Sequence, residues 1–511
     1  MDASALLLGS LVFLASAAVR APEPEPGIEA ALHLLYDGST DAALEVLAAM
    51  KALGPDDPLP AYFDALALAW KLEQRPETRE LDAELLRRAD HAIALADVRL
   101  RGAPDDVHAL FARGAAHGVK SRLHLFRRER SGAAREGVRM REDLLRVVAL
   151  EPGHEDARFG LALYDYYADV LPRMLKLLRL LAGLPGGDRE RGLAGLRRAA
   201  HRARWHGTEA QAQLYEILAF YEEDHDQALA AIRSLREQYP GSPLWGLKLT
   251  EHLRDRLSLY RKAADLSQEV ARNAAGGHPN YAPLVGRMAD LALGHALLLD
   301  LRFEEARAAL LRVTQAGDVS DGLSARAQLL AGESLELEDA RAAALPHYRA
   351  AAASRDPDVS RAARNALDRS LPAPRVAATP HLARGRRLLE EGRDAEAHAA
   401  FAEAARCWPE SQEAALRLAA RDLAAGAAGR ARRTLEGLLG RRRLEPSWVR
   451  PEATLLLAGL REGDDRAAAV VLYKTVWERP GGDEARRREA ARALGRLGAA
   501  PESAPRSPSE P

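Results

Sequence analysis

The chain has 511 residues and a single cysteine, Cys407, so it forms no intrachain disulfide and no all-cysteine metal site. Aromatic residues make up 5% of it and β-branched residues are sparse, which argues against a large sheet. Charge of one sign is not in excess. The net charge is -1, and no basic stripe runs along the chain, so a grip on a nucleic-acid phosphate backbone is not expected. The basic residues are almost all Arg rather than Lys, and GC-rich coding bias accounts for that. Familiar catalytic strings are missing too. There is no GxxxxGK[ST] phosphate cradle, no GxGxxG after a strand and no GxSxG elbow. His154-Glu155-Asp156 lacks the second His one turn on that would let two imidazoles share a zinc. The residues therefore point to no enzyme, no cofactor and no metal.

What is present favours helix. Ala, Leu, Arg and Glu dominate, and these side chains lose little freedom on entering one. A 47% hydrophobic content is enough to fold a chain that is 29% charged. At this length, several domains or a repeat array are expected.

The start of the chain reads as an address. Ala3 to Val19 carries no charge, and small residues at Ala15-Ser16-Ala17 precede alternating Pro and Glu. We read 1–21 as a signal peptide cleaved near Ala17 or Ala18, or else as an N-terminal anchor, since about 17 residues is the short limit for a bilayer span. The first reading implies export, to the periplasm of a bacterium. The second implies attachment to the inner membrane. No Cys follows the run, so no lipid attachment there is expected. Residues 22–26 then read as a Pro/Glu linker.

Repeats organise the rest. In the segment 385–409, Gly385 is followed by Leu388, Ala397, Phe401, Ala404 and Pro409. That spacing suits two short antiparallel helices. Gly385 and Ala397 let them approach, Leu388 and Phe401 fill the space between, and Pro409 ends the second. The same offsets recur as Gly294, Leu297, Ala306, Leu310 and Val313, and as Gly332, Leu335, Ala344, Tyr348 and Ala351. They recur again as Glu216, Ala219, Ala228, Ile232, Leu235 and Pro240. Fainter copies run through Ala43, Leu47, Met50 and Pro55, through Ala431, Leu435 and Leu438, and through Ala468, Leu472, Thr475 and Pro480.

This pattern resembles the tetratricopeptide-repeat (TPR) family over most of residues 27–498. The resemblance implies an all-α fold, a right-handed superhelical α-solenoid of antiparallel helix pairs. The domain organisation expected from it is an N-terminal solenoid over 27–370, a Pro-rich joint over 371–380, and C-terminal repeats with a polar capping helix over 381–498. A disordered tail over 499–511 follows. The family binds protein or peptide partners on its concave face, so a scaffold or adaptor is the expected function, with a membrane-associated helper as the alternative.

One stretch carries a narrower likeness. Phe159-Gly160, Leu171-Pro172, Leu175-Lys176-Leu177-Leu178, Gly187-Asp188-Arg189 and Gly192-Leu193 resemble a signature of a eukaryotic TPR family. That family includes a mitochondrial outer-membrane protein implicated in clearing protein inclusions. The likeness implies a shared helical scaffold and carries over neither a membrane nor a process. Within this stretch, Arg173, Lys176 and Arg179 recur every three residues on a Leu-rich helix over 172–182. They are candidates for contact with a membrane or a partner. The bland reading is the wet edge of a buried helix. His201, Trp205 and His206, and Asp165 and Asp169 beside three tyrosines, are weaker candidates, each read more simply as packing or a solvated helix face.

Overall fold

The computed structural model describes residues 24–73, 79–170, 185–478 and 483–499, and every regular element among them is helical. The chain divides into two compact units. The first takes its described residues from 24–35, 40–73 and 80–153. It holds α1 (Pro24–Tyr36), α2 (Thr40–Leu53), α3 (Pro58–Glu73), α4 (Asp82–Gly102), α5 (Val107–Phe126) and α6 (Arg130–Leu150).

The second unit carries the remaining helices from His154 onward. These are α7 (Glu155–Asp169), α8 (Arg189–Arg202), α9 (Gly207–Phe220), α10 (His225–Gln238), α11 (Pro243–Glu251) and α12 (Tyr260–Ala275). Next come α13 (Pro283–Leu299), α14 (Phe303–Thr314), α15 (Asp321–Leu337), α16 (Arg341–Ala352), α17 (Pro357–Asp368) and α18 (Ala373–Glu390). The last are α19 (Asp394–Cys407), α20 (Gln412–Ala424), α21 (Ala428–Leu439), α22 (Val449–Arg461), α23 (Arg466–Trp477) and α24 (Glu484–Arg496). Most helices adjacent in sequence pack against each other within each unit, so the fold is an all-α solenoid of stacked helix pairs.

Small residues let the pairs close. Gly294, Gly332 and Gly385 lie inside the first helices of their pairs, as the spacing predicts. What covers each glycine is the large side chain of the second helix. A Cβ on Gly385 would stand 2.7 Å from the Phe401 ring, one on Gly332 2.6 Å from Tyr348, and one on Gly294 2.6 Å from Leu310. Ala397, Ala344 and Ala306 are fully buried alongside. Polar residues set where helices begin. The carboxylates of Asp224 and Asp465 and the hydroxyl of Ser411 accept backbone N–H groups from Gln227, Ala468 and Ala414.

Three expectations differ from the structure. The fainter copy at Ala468, Leu472 and Thr475 is one residue out of register. Ala469, Tyr473 and Val476 face the core, and Thr475 is exposed. The run 467–472 is apolar throughout and fits either register. The Asp465 cap and the Tyr473 hydroxyl, which donates to Glu462 at 2.6 Å, select one. The Pro-rich stretch 371–380 is mostly helix, because α18 runs from Ala373 through Pro380. Pro374 stands in its first turn, where a missing N–H costs nothing, and the units divide instead between residues 153 and 154. For the same reason the 22–26 linker gives way to helix at Pro24.

At the far end, α24 buries Ala490, Ala493 and Leu494 against Leu455, Ala458, Tyr473 and Val476, and so covers the last apolar face.

Candidate functional site

Arg173, Lys176 and Arg179 fall outside the described residues, as does the Leu-rich stretch around them. The glycines that flank it have a clear role. A Cβ on Gly187 would stand 2.2 Å from the Asp165 carbonyl oxygen, and one on Gly192 2.6 Å from the Tyr166 nitrogen. Helices α7 and α8 therefore meet backbone to backbone, which only glycine permits. Asp188 caps α8 by accepting from the Arg191 N–H at 2.9 Å, and the Arg191 guanidinium reaches the two oxygens of Asp165 at 2.6 and 2.8 Å. The narrower signature thus describes a tight helix crossing.

The two weaker groupings are structural as well. Asp156 is buried and accepts from the backbone N–H groups of Arg204, Trp205 and His206 at 3.1, 2.9 and 2.8 Å. Its Oδ1 also lies 2.9 Å from Nδ1 of His206, whose ring stacks on Phe159. Burial alone would raise the Asp156 carboxyl, but the His206 contact and the backbone donors outweigh it and hold it at about 2. Beside Asp165, the Tyr166 hydroxyl donates to Glu222 at 2.6 Å, and Tyr166, Tyr167 and Tyr221 pack edge to face. Asp169 accepts from the Arg189 N–H at 3.2 Å. Among the described residues no cluster of three or more His, Cys, Asp or Glu could hold a metal ion.

A polar layer in the second unit, missed in the sequence, is the stronger candidate. It begins where α11 gives way to a π-turn over His252–Arg256, followed by Ser258 at a φ of 52°. Glu251 is solvent-accessible, and desolvation by the surrounding protein pushes its carboxyl above the usual range. His252 is buried, and no described residue hydrogen-bonds either ring nitrogen. Burial and the charges of His225 and Arg256 lower its pKa to about 4. His295 on α13 is likewise held at about 4, by burial and by Arg254.

From there the layer passes to the C-terminal repeats. Arg386 of α18 makes a two-pronged contact with Glu413 of α20, both bonds 2.7 Å long, and donates to the Leu299 carbonyl at 3.3 Å. Asp300 lies 3.5 Å from Arg386, and burial raises its carboxyl despite that neighbour. Further contacts tie distant helices together. Arg261 pairs with Glu390, Ser447 Oγ donates to Ser258 Oγ at 2.7 Å, and Lys262 Nζ donates to Asp483 at 2.9 Å. Arg487 Nη1 donates to Asp226 at 2.8 Å. The second unit therefore folds back so that the repeats from α18 onward meet α10 to α13. The indole of Trp448, just before α22, lies 6.0 Å from the Arg386 guanidinium and 4.9 Å from that of Arg417.

Only one signal in the sequence hints at this layer. Arg386 is a charge set directly after the packing glycine, within the basic run Arg384-Gly385-Arg386-Arg387. Chemically, the layer offers charged and aromatic groups that are partly desolvated, in a fixed arrangement that suits recognition of another chain.

No protein-family model matches the sequence, and no curated protein matches it. Among solved structures 88 chains match. One is the crystal structure of the P58(IPK) TPR domain, similar over 85% of this chain and 98% of that one, at 14% identity and a TM-score of 0.22. A likeness this low carries no argument. The chain's own helix pairs, with glycine set against a large side chain, define an all-α solenoid. Among the described residues no helix is long and apolar enough to cross a membrane.

Proposed function

We propose that the protein is a helical-repeat scaffold that binds protein partners, with the polar layer of its second unit as the docking face. The observation that carries this reading is the set of charged and aromatic side chains around Glu251, His295, Arg386 and Trp448, which the apolar packing between paired helices does not use. Burying such groups costs free energy that packing alone does not require, so their retention fits a recognition surface. The narrower likeness over 159–193 supports common ancestry of a helical scaffold.

The apolar run Ala3–Val19 supports work in the bacterial cell envelope, after export or on an inner-membrane anchor. Mass spectrometry of the native N-terminus tests this. A mature start near Ala18 agrees with export, and a retained Met1 contradicts it. The same run, with the basic Leu-rich stretch 172–182, favours a second reading, a membrane-associated helper in envelope assembly or transport. Flotation with anionic vesicles separates the two. Binding that disappears when Arg173, Lys176 and Arg179 are all changed to Glu supports the helper.

The docking face is tested with a photo-crosslinking residue placed at 295 in the native cell, and at Val471, an exposed outer position. Discrete adducts from 295 and none from 471 are expected. Equal labelling from both positions would remove the polar layer from its assigned role.

A further inference from the structure

Within the polar layer one charge stands apart. Arg417 of α20 is only partly accessible, and among the described residues it has neither an ion pair nor a hydrogen bond, with its Nε fully buried. The nearby carboxylates are engaged elsewhere. Both oxygens of Glu413 bind Arg386, and Glu452 accepts from Arg486 Nε at 2.7 Å. What Arg417 does have is the face of Trp448, 4.9 Å from its guanidinium carbon. That contact orients the planar fork and leaves its donors unused. Burial lowers the pKa of Arg417, and Arg386 and Arg486 oppose its charge while Glu413 and Glu452 favour it. A guanidinium cannot discharge itself at ordinary pH, so Glu413 and Glu452 offset the cost of its charge only through space, and its buried Nε has no described acceptor.

We propose that Arg417, held over the Trp448 ring, is a binding position for a side-chain carboxylate of an acidic segment in the partner protein. Charge complementarity selects the occupant. A planar fork with unused donors matches a carboxylate, a lysine-rich segment would be repelled, and an uncharged one would leave the cation unpaired. The indole adds an apolar wall for the methylene groups of a glutamate. This inference rests on the scaffold reading and narrows it to a class of partner.

The test uses the full chain and fluorescein-labelled octapeptides of Glu, Gln and Lys, acetylated and amidated so that only side chains differ. Fluorescence anisotropy at low salt is expected to show binding of the Glu peptide alone. Arg417→Gln should weaken it about tenfold or more, the size of a lost charge-assisted hydrogen bond. Arg430→Gln, which removes an exposed charge from α21, should leave it unchanged. Should Arg417→Gln fail to fold, modification of arginines by phenylglyoxal in the unaltered chain decides. The Glu peptide must then slow labelling of Arg417 several-fold and the Gln peptide must not. No binding of the Glu peptide, equal binding by Arg417→Gln, or equal binding of the Gln peptide overturns the proposal. The scaffold reading is judged separately, by whether position 295 forms crosslinks in the cell.

Discussion

Gly385 and Arg386 are neighbours on α18 and serve opposite ends. Gly385 faces α19, where the Phe401 ring lies so close that any side chain would collide with it. Arg386 faces the polar layer, where it holds Glu413, touches the Leu299 carbonyl and lies 6.0 Å from the Trp448 indole. One interface is dry, local and complete. The other is ionic, joins residues far apart in the chain, and includes Arg417, a guanidinium with no ion pair among the described residues. The first kind of contact makes a solenoid. The second, buried at a cost, is where recognition is to be sought.

The dry interface should break hardest. Phe401 is fully buried, so Phe401→Ala is expected to destabilise the chain by about 3–5 kcal/mol, through lost burial and a cavity. Gly385→Ala should cost about 1–3 kcal/mol by overpacking against the same ring. Urea denaturation followed by circular dichroism measures both. If Gly385→Ala is neutral, the ring has room to move and the interlock is looser than described.

The ionic interface should break when halved. Arg386→Met leaves Glu413 buried without its hydrogen-bonded cation, while Asp300 keeps Arg261, and a cost of about 3–5 kcal/mol is expected. The same denaturation experiment checks it. A loss below about 1 kcal/mol would mean that water reaches the pair and that the layer is no more than a surface.

Acid sharpens the contrast from a third place. Asp156 has its pKa lowered in the fold to about 2. Its contribution is therefore present above the unfolded value of about 3.9 and is lost as pH falls through the folded value. A stability decrement on the order of 2 kcal/mol should develop between about pH 4 and pH 2, and Asp156→Asn should remove that dependence. An unchanged acid profile in Asp156→Asn would assign the transition to other carboxylates.

The two interfaces also differ in how far the sequence revealed them. Gly385, Ala397 and Phe401 lie within one repeat, so their spacing reports their contact. The same holds at Gly332 with Tyr348 and at Gly294 with Leu310. The spacing misled only where composition blurred it, in the apolar run 467–472, and there the Asp465 cap fixes the register. The polar layer was invisible for a different reason. Arg386 meets Leu299 across 87 residues, Ser447 meets Ser258 across 189 and Arg487 meets Asp226 across 261. Those meetings depend on the path of the stacked pairs, which no local pattern encodes. The charges conspicuous in sequence, such as Asp165 and Asp169, bind their own neighbourhood.

The measurement that bears most directly on this division of labour is the double substitution Arg386→Met with Glu413→Leu. Replacing a buried ion pair by apolar groups of similar size is commonly neutral or stabilising, so the denaturation midpoint should stay near that of the unaltered chain or rise. Crosslinking from position 295 should nevertheless fall away, because part of the recognition layer has gone. A double variant that is equally stable and forms the same adducts in the same amount would show that partners are recognised elsewhere on the molecule.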